Sequence, residues 1–383
     1  MGPPPAGEER SGLRRHAGRE SEGKKTLYWF TRLGTIALRE TIFTRGRRGP
    51  ELRPFSASAE VTCRACSVAL QRAITDFGAD DPFAGAAAKL REHYGIEVPV
   101  STVRAVTEHH GAVMRARAPQ GSPWPEGPGV AVLIAEMDGS MVPVVETAGP
   151  GDGVRPRDRR KTRQLRWTEA RLCLAQTPGS VTPRFGATMG SVDEAGDQLW
   201  ECALAAGFGR QTQVHGLGDG APWITDQIER TFGMQATYLI DFYHVCDYLA
   251  AAADAVARPQ KSAWMDAQKT ALKENRWSAV LDTLRPSLEP DEVADLDAPV
   301  RACYRYLSNR PEHLNYHAAL AAELPIGSGA IESAHRYVLQ SRLKRSGAWW
   351  TLENLRNMLA LRVLRANREW DEYWNPRDQP KAA

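Results

Sequence analysis

Residues 130–146 read Val-Ala-Val-Leu-Ile-Ala-Glu-Met-Asp-Gly-Ser-Met-Val-Pro-Val-Val-Glu, and this stretch decides the fold class. The apolar run 130–137 is bounded by turn formers, the pattern of a strand buried on both faces. Asp138-Gly139 is a hairpin-turn signal, and 140–146 alternates as the expected partner strand. Working outward, residues 167–176 read as a third strand. An amphipathic helix over 193–207, a short strand over 214–217, a helix over 222–232 and a strand over 238–241 follow. The order of three strands, helix, strand, helix, strand predicts an α/β unit built on a mixed five-stranded sheet flanked by helices.

Beyond a helix starting near Phe242, residues 250–257, 263–275, 277–285 and 299–308 all read as helix, so 245–317 is expected to be an all-helical insertion. The glycine-rich breaker 324–329 precedes two long helices, 330–345 and 351–368. Upstream, a Pro/Gly linker (119–129) separates the sheet from three helical stretches, 68–77, 83–94 and 101–110. Gly95 closes the second and Ser101 is a good N-cap for the third. This outline predicts a helix-turn-helix within 61–117, with 101–110 and Arg104 as its recognition helix; an ordinary three-helix packing unit is the alternative. Residues 1–60 are rich in Gly, Pro and Arg and read as a flexible basic arm with one short element at most. The catalytic core is expected over 128–244 and 318–370, with a tail at 371–383.

Bulk properties narrow the class without choosing a function. The 383 residues carry a net charge of only +3, because 49 basic and 46 acidic residues nearly cancel. Six scattered cysteines do not make a disulfide framework. No apolar run approaches the roughly 20 residues of a membrane span, and the N-terminus lacks the apolar block of a secretory signal. A cytoplasmic protein is expected.

Three carboxylates fall where this order would bring them together. Asp138 ends the first strand and Asp219 the fourth, each followed by glycine. Glu332 lies in the first turn of the helix after the breaker, in Gly327-Ser-Gly-Ala-Ile-Glu-Ser-Ala-His335. Singly, each has a plain reading as a turn or capping residue. Together, in MDGS, GDGAPWI and GSGAIESAHR, they suit Mg²⁺ or Mn²⁺, two ions of which can assist an in-line phosphoryl displacement. Asp241 and His244, three apart after the fifth strand, share one face of a helix start, where Asp241 also reads simply as the N-cap.

These motifs, with RRKTRQLRWTEARL, YLIDFYHVCDYL and IGSGAIESAHRYVLQSRLKRSGAWWTLENLRNMLALR, resemble the ISKra-type insertion-sequence transposases. Those belong to the DDE group that includes the Mutator-like elements, and the resemblance spans residues 77–370. It implies an RNase H-like fold and a magnesium-dependent DNA transposase of a bacterial mobile element, acting in DNA recombination at the nucleoid. It further implies that Asp138, Asp219 and Glu332 hold two metal ions, and that Asp241 and His244 act near the DNA strand. The implied partners are double-stranded DNA, at terminal inverted repeats and target, and further copies of the chain, as a homodimer or larger assembly. The family's N-terminal metal-binding cysteines are reduced here to Cys63 and Cys66, half of what structural zinc requires, so zinc is not expected.

Basic residues cluster where DNA would lie. Arg160, Lys161 and Arg163 belong to the run 155–171, and Arg336, Arg342, Lys344 and Arg345 follow Glu332, ahead of Trp349 and Trp350. Two rivals remain: a transposase-derived DNA-binding protein that has lost catalysis or been domesticated, and a hydrolase using two carboxylates as acid and base.

Overall fold

The computed structural model describes residues 20–44, 51–59, 61–147 and 163–375, and the chain divides into two compact units, Met1–Val113 and Met114–Ala383. The first departs from expectation at its start. Where a flexible arm was expected, β1 (Glu20–Thr31) and β2 (Gly34–Thr44) form an antiparallel hairpin with Thr31 paired to Gly34. Thr31 Oγ1 donates to Gly34 O at 2.8 Å and accepts from Leu33 N at 3.1 Å, closing the turn. Few apolar side chains suffice for the pairing. Leu27, Ile42 and Phe43 are buried, and Trp29 meets Phe55 of α1 (Pro54–Ser58) edge-on at 5.5 Å.

Three helices complete the unit: α2 (Val68–Asp80), α3 (Phe83–Tyr94) and α4 (Val100–Arg117). Ser67 caps α2 by accepting from Leu70 N at 3.3 Å, and left-handed Gly95 ends α3. Leu70, Ile74, Leu90, Val103 and Val106 form their shared core. Ser101 is not the cap of α4. The helix starts one residue earlier, behind Pro99, whose carbonyl accepts from Thr102 N at 2.8 Å and Val103 N at 3.0 Å. It also runs seven residues past the expected end, through Gly111 and into turns rich in the helix formers Ala, Met and Arg.

In the second unit β3 (Val132–Thr147) is one uninterrupted strand, so the expected turn at Asp138-Gly139 does not occur. These two residues pair with Leu172 and Arg171 of β4 (Arg163–Gln176). Gly139 serves a close cross-strand approach instead, since a Cβ there would lie 2.1 Å from Glu169 Oε1. The segment 140–146 is therefore the far half of β3 and not its partner. The basic residues 155–161, with Arg160 and Lys161, lie outside the described residues. An unforeseen short strand, β5 (Arg184–Thr188), takes the third place, so the element order stands although two of its first three members differ.

After β5 come α5 (Val192–Ala205), β6 (Gln213–Gly218), α6 (Pro222–Phe232) and β7 (Ala236–Ile240). The sheet order is β5-β4-β3-β6-β7, with β4 antiparallel to β3 and β5, and β6 parallel to β3 and β7. It is a mixed five-stranded sheet flanked by helices. Leu133, Met137, Cys173, Leu199, Ile224 and Ile228 belong to its core.

α7 (Phe242–Val256), α8 (Lys261–Lys273), α9 (Trp277–Leu284), α10 (Pro299–Ser308) and α11 (Tyr316–Ala321) make the helical insertion, α10 packing along α7. The chain returns through α12 (Gly329–Ala334), a π-helical segment (His335–Gln340) and α13 (Ser341–Leu343). The expected helix over 330–345 is thus one rod whose middle is underwound into a π turn, a feature frequent at functional sites. α14 (Leu352–Ala366), capped by Thr351, and α15 (Trp370–Trp374) end the unit. No helix among the described residues is long and apolar enough to cross a membrane.

Candidate active site

The register of the three parallel strands sets one row of acids at a single edge of the sheet. Glu136 pairs with Leu217 and Gly218 with Ile240, so continuing the ladder sets Asp138 beside Asp219 and Asp219 beside Asp241. Neighbouring strands are about 4.8 Å apart. The pleat puts these acids on one face. A Cβ at Gly216 or Gly218 would meet Ile228 or Ile224 of α6 at 3.1 and 3.0 Å, so Leu217 and Asp219 point the other way. Met137 pairs with Cys173, whose Sγ lies with Cys202 of α5 around Gly186; Glu136 and Asp138 therefore also face away from α5 and α6.

The opposite face is closed by the returning chain, which three contacts seat. His215 Nε2 lies 2.8 Å from Pro325 O, Phe242 N donates to Ile326 O at 2.8 Å, and Asp241 Oδ2 accepts from Ser328 N at 2.7 Å and from the Ser328 hydroxyl. Ser328 precedes α12, so the start of that helix is anchored at this row, with Glu332 exposed in its first turn. A further bond ties α12 to the strand below it: Ile331 N donates to Glu136 Oε2 at 2.8 Å.

The acids differ in surroundings. Asp138 is partly exposed; its Oδ1 accepts from Gly139 N at 2.7 Å and its Oδ2 lies 2.9 Å from Nε2 of buried His335, off the angle of a well-formed hydrogen bond. Asp219 is half-buried, its Oδ1 accepting from Ala221 N at 2.9 Å. The insertion holds its turn: the Tyr306 hydroxyl donates to Asp219 O, and Arg310 Nε donates to Gly220 O at 3.1 Å. Only glycine fits at 220, where φ is +83° and a Cβ would lie 2.7 Å from the Tyr306 hydroxyl. Asp241 is buried and fully engaged, its Oδ1 capping α7 through Tyr243 N (2.6 Å) and His244 N (3.2 Å). Glu136, 2% exposed, is pushed up to about 7, chiefly by burial, with Asp241 and Glu332 adding repulsion and the Ile331 N–H opposing.

Of the residues expected from sequence, Asp138, Asp219 and Asp241 thus share a row, and Glu332 stands exposed on the helix bonded to Glu136, near enough to repel that carboxylate. His244 stands on α7, its ring 5.8 Å from that of Tyr306, which stacks on Tyr248 at 4.2 Å. Lys344 donates to Ser140 Oγ at 2.6 Å, two residues along the strand from Asp138. Arg342 is buried over Trp350 (4.8 Å), Arg163 lies over exposed Trp349 (5.5 Å), and Arg336 and Arg345 are exposed. Arg104 is exposed on α4, 3.5 Å from Glu108. Among the described residues, no three His, Cys, Asp or Glu side chains gather closely enough to hold a metal ion by themselves. The donor chemistry nonetheless suits Mg²⁺, which takes one or two carboxylates and completes its shell with water and substrate phosphate.

Sequence reasoning passed over Glu136, His335, Tyr306 and Arg310. The first two had a signal: Glu136 is the lone charge in an apolar strand, two residues and hence one face from Asp138, and His335 is one helical turn past Glu332. Tyr306 and Arg310 had none, because only the folded insertion brings them to Asp219.

A profile for an uncharacterised protein family, UPF0236, often found in transposase-like and insertion-sequence proteins, matches residues 209–372. The span takes in Asp219, Asp241, His244 and Glu332 and leaves out the strand of Asp138. No curated protein matches the chain.

Proposed function

We propose that this chain is a DNA transposase of the ISKra type, with an RNase H-like catalytic unit that cuts and joins phosphodiesters at the ends of an insertion sequence. The observation that carries the reading is the parallel register of β3 and β6, which, continued two residues past the Glu136–Leu217 pair, sets Asp138 beside Asp219, with the Glu332 helix bonded to the Asp138 strand. The strand order, with β4 and β5 antiparallel on one side of β3 and β6 and β7 parallel on the other, is the order expected of an RNase H-like sheet. The three-helix arrangement of α2–α4 supports a helix-turn-helix that reads the element ends, with exposed Arg104 toward phosphate.

Asp138 and Asp219 would hold the divalent ion, with Glu332 completing the protein ligands. Bound there, the ion supplies an activated oxygen nucleophile and neutralises charge on the leaving oxygen. The chain's own residues do the rest. Tyr306 and Arg310 fix the Asp219 turn, Ser328 and Asp241 fix the start of α12, and Lys344 sets a cation beside Ser140 for the scissile strand's phosphates. The attacking group is water in cleavage and a DNA 3′-hydroxyl in joining.

Strand joining separates this reading from a simple nuclease. The full chain, given Mg²⁺, a target plasmid and a duplex ending in the inverted repeats that flank its gene, is expected to yield duplex joined to plasmid through the repeat's 3′-hydroxyl. Cleavage with no joined product would reduce the assignment to a nuclease.

A further inference from the structure

Glu136 has no part in the acid row itself. It sits one pleat further inside, on the same face as Asp138, with 2% of its surface exposed. Burying a carboxylate is costly, and one retained in an otherwise apolar strand needs a partner. Its partner is the backbone N–H of Ile331, at 2.8 Å. That N–H belongs to the first turn of α12, where amides have no acceptor within the helix. The next residue along is Glu332. The bond therefore ties the residue before one acid to the residue two before another, across 195 positions of sequence. It is also the inner of two anchors on the helix start; the outer is Ser328 on Asp241. With both ends of the first turn tied, the backbone at Glu332 is fixed relative to the Asp138 strand.

We propose that Glu136 is a positioning residue, a strut that sets the Glu332 helix against the Asp138 strand, and not a further metal ligand. The proposal rests on the transposase reading for what Glu332 does, but the strut itself is testable without it. A strut needs an acceptor oxygen and no charge; a ligand needs the charge. Glu136→Gln keeps the acceptor, and Glu136→Ala removes it.

Hydrogen exchange and cleavage kinetics on the full chain distinguish these. In the parent chain and Glu136→Gln the Ile331 amide exchanges slowly, and in Glu136→Ala it speeds up to the rate of its neighbours in the first turn. In Mn²⁺-dependent cleavage, Glu136→Gln stays within about threefold of the parent kcat. Glu136→Ala loses about 10- to 100-fold in kcat with KM for DNA unchanged, the scale set by a misplaced catalytic group. If Glu136→Gln is as inactive as Asp138→Asn, the carboxylate charge is used and the strut is wrong. If Glu136→Ala matches the parent in both measurements, it is equally wrong. Should Glu136→Ala not fold, the parent chain decides alone: an Ile331 amide exchanging as fast as those of Gly329 and Ala330 overturns the proposal. Slow exchange with no cleavage by the parent chain would leave the strut standing and remove the transposase reading instead.

Discussion

Asp219→Asn is expected to abolish strand cleavage while leaving the fold and DNA binding intact. The amide keeps the size of the side chain and can still accept from Ala221 N, so the turn that Tyr306 and Arg310 hold is preserved. What it loses is the charge at the register position beside Asp138. Carboxylate-poor sites bind Mg²⁺ weakly, and losing the electrostatic stabilisation of a phosphoryl transition state costs about a thousandfold or more, roughly 4 kcal/mol. Gel shift of the end duplex in chelator, thermal melting and cleavage in Mg²⁺ are the three readouts. Retained cleavage within tenfold of the parent would remove Asp219 from the site.

Asp241→Ala is expected to fail differently, through stability. Four donors converge on this buried carboxylate: the amides of Tyr243, His244 and Ser328 and the hydroxyl of Ser328. Losing an N-cap costs about 1 kcal/mol, and each of the two buried Ser328 donors left without an acceptor about 1–3, so a loss of about 3–7 kcal/mol follows. For a unit of this size that lowers Tm by roughly 6–28 °C. Activity falls with it, because the Ser328 link seats α12 and Glu332. Asp241→Asn, still a good N-cap, should lose markedly less. A melting temperature unchanged in Asp241→Ala, together with lost cleavage, would instead return Asp241 to a direct role in the chemistry.

This contrast marks where sequence and structure part. Asp138, Asp219 and Asp241 all sit at strand ends in sequence and share a row in space, yet their duties differ. Asp219 is half-buried at the edge, while Asp241 is consumed by a cap and a cross-link. That Asp241 caps a helix was legible from its place before Phe242; that it also holds Ser328, 87 residues on, was not. The parallel strands and the insertion helices could be read because their periodicity is local, and α10 runs from Pro299 to Ser308 as its pattern predicts. The β1–β2 hairpin was missed because its pairing rests on a few inward side chains within a polar, glycine-containing stretch. Asp138-Gly139 misled because glycine has two uses. Turn chemistry is a local property, whereas the crowding of Glu169 on Gly139 comes from a strand 30 residues away. Glu136 shows the same limit: its charge was visible, its partner on α12 was not.

Divalent-metal chemistry at the Asp138–Asp219 edge is what a transposase requires of this chain. The most direct measurement is cleavage of the repeat-bearing duplex by the full chain in Mg²⁺, in Mn²⁺ and after chelation, at matched ionic strength so that DNA binding stays constant. The expected result is cutting at the repeat end in both metals and none in chelator, with activity restored on returning the metal. Cutting that persists in chelator would contradict the account, and so would tight binding with no cutting in either metal, the behaviour of a DNA-binding protein that has lost its catalysis.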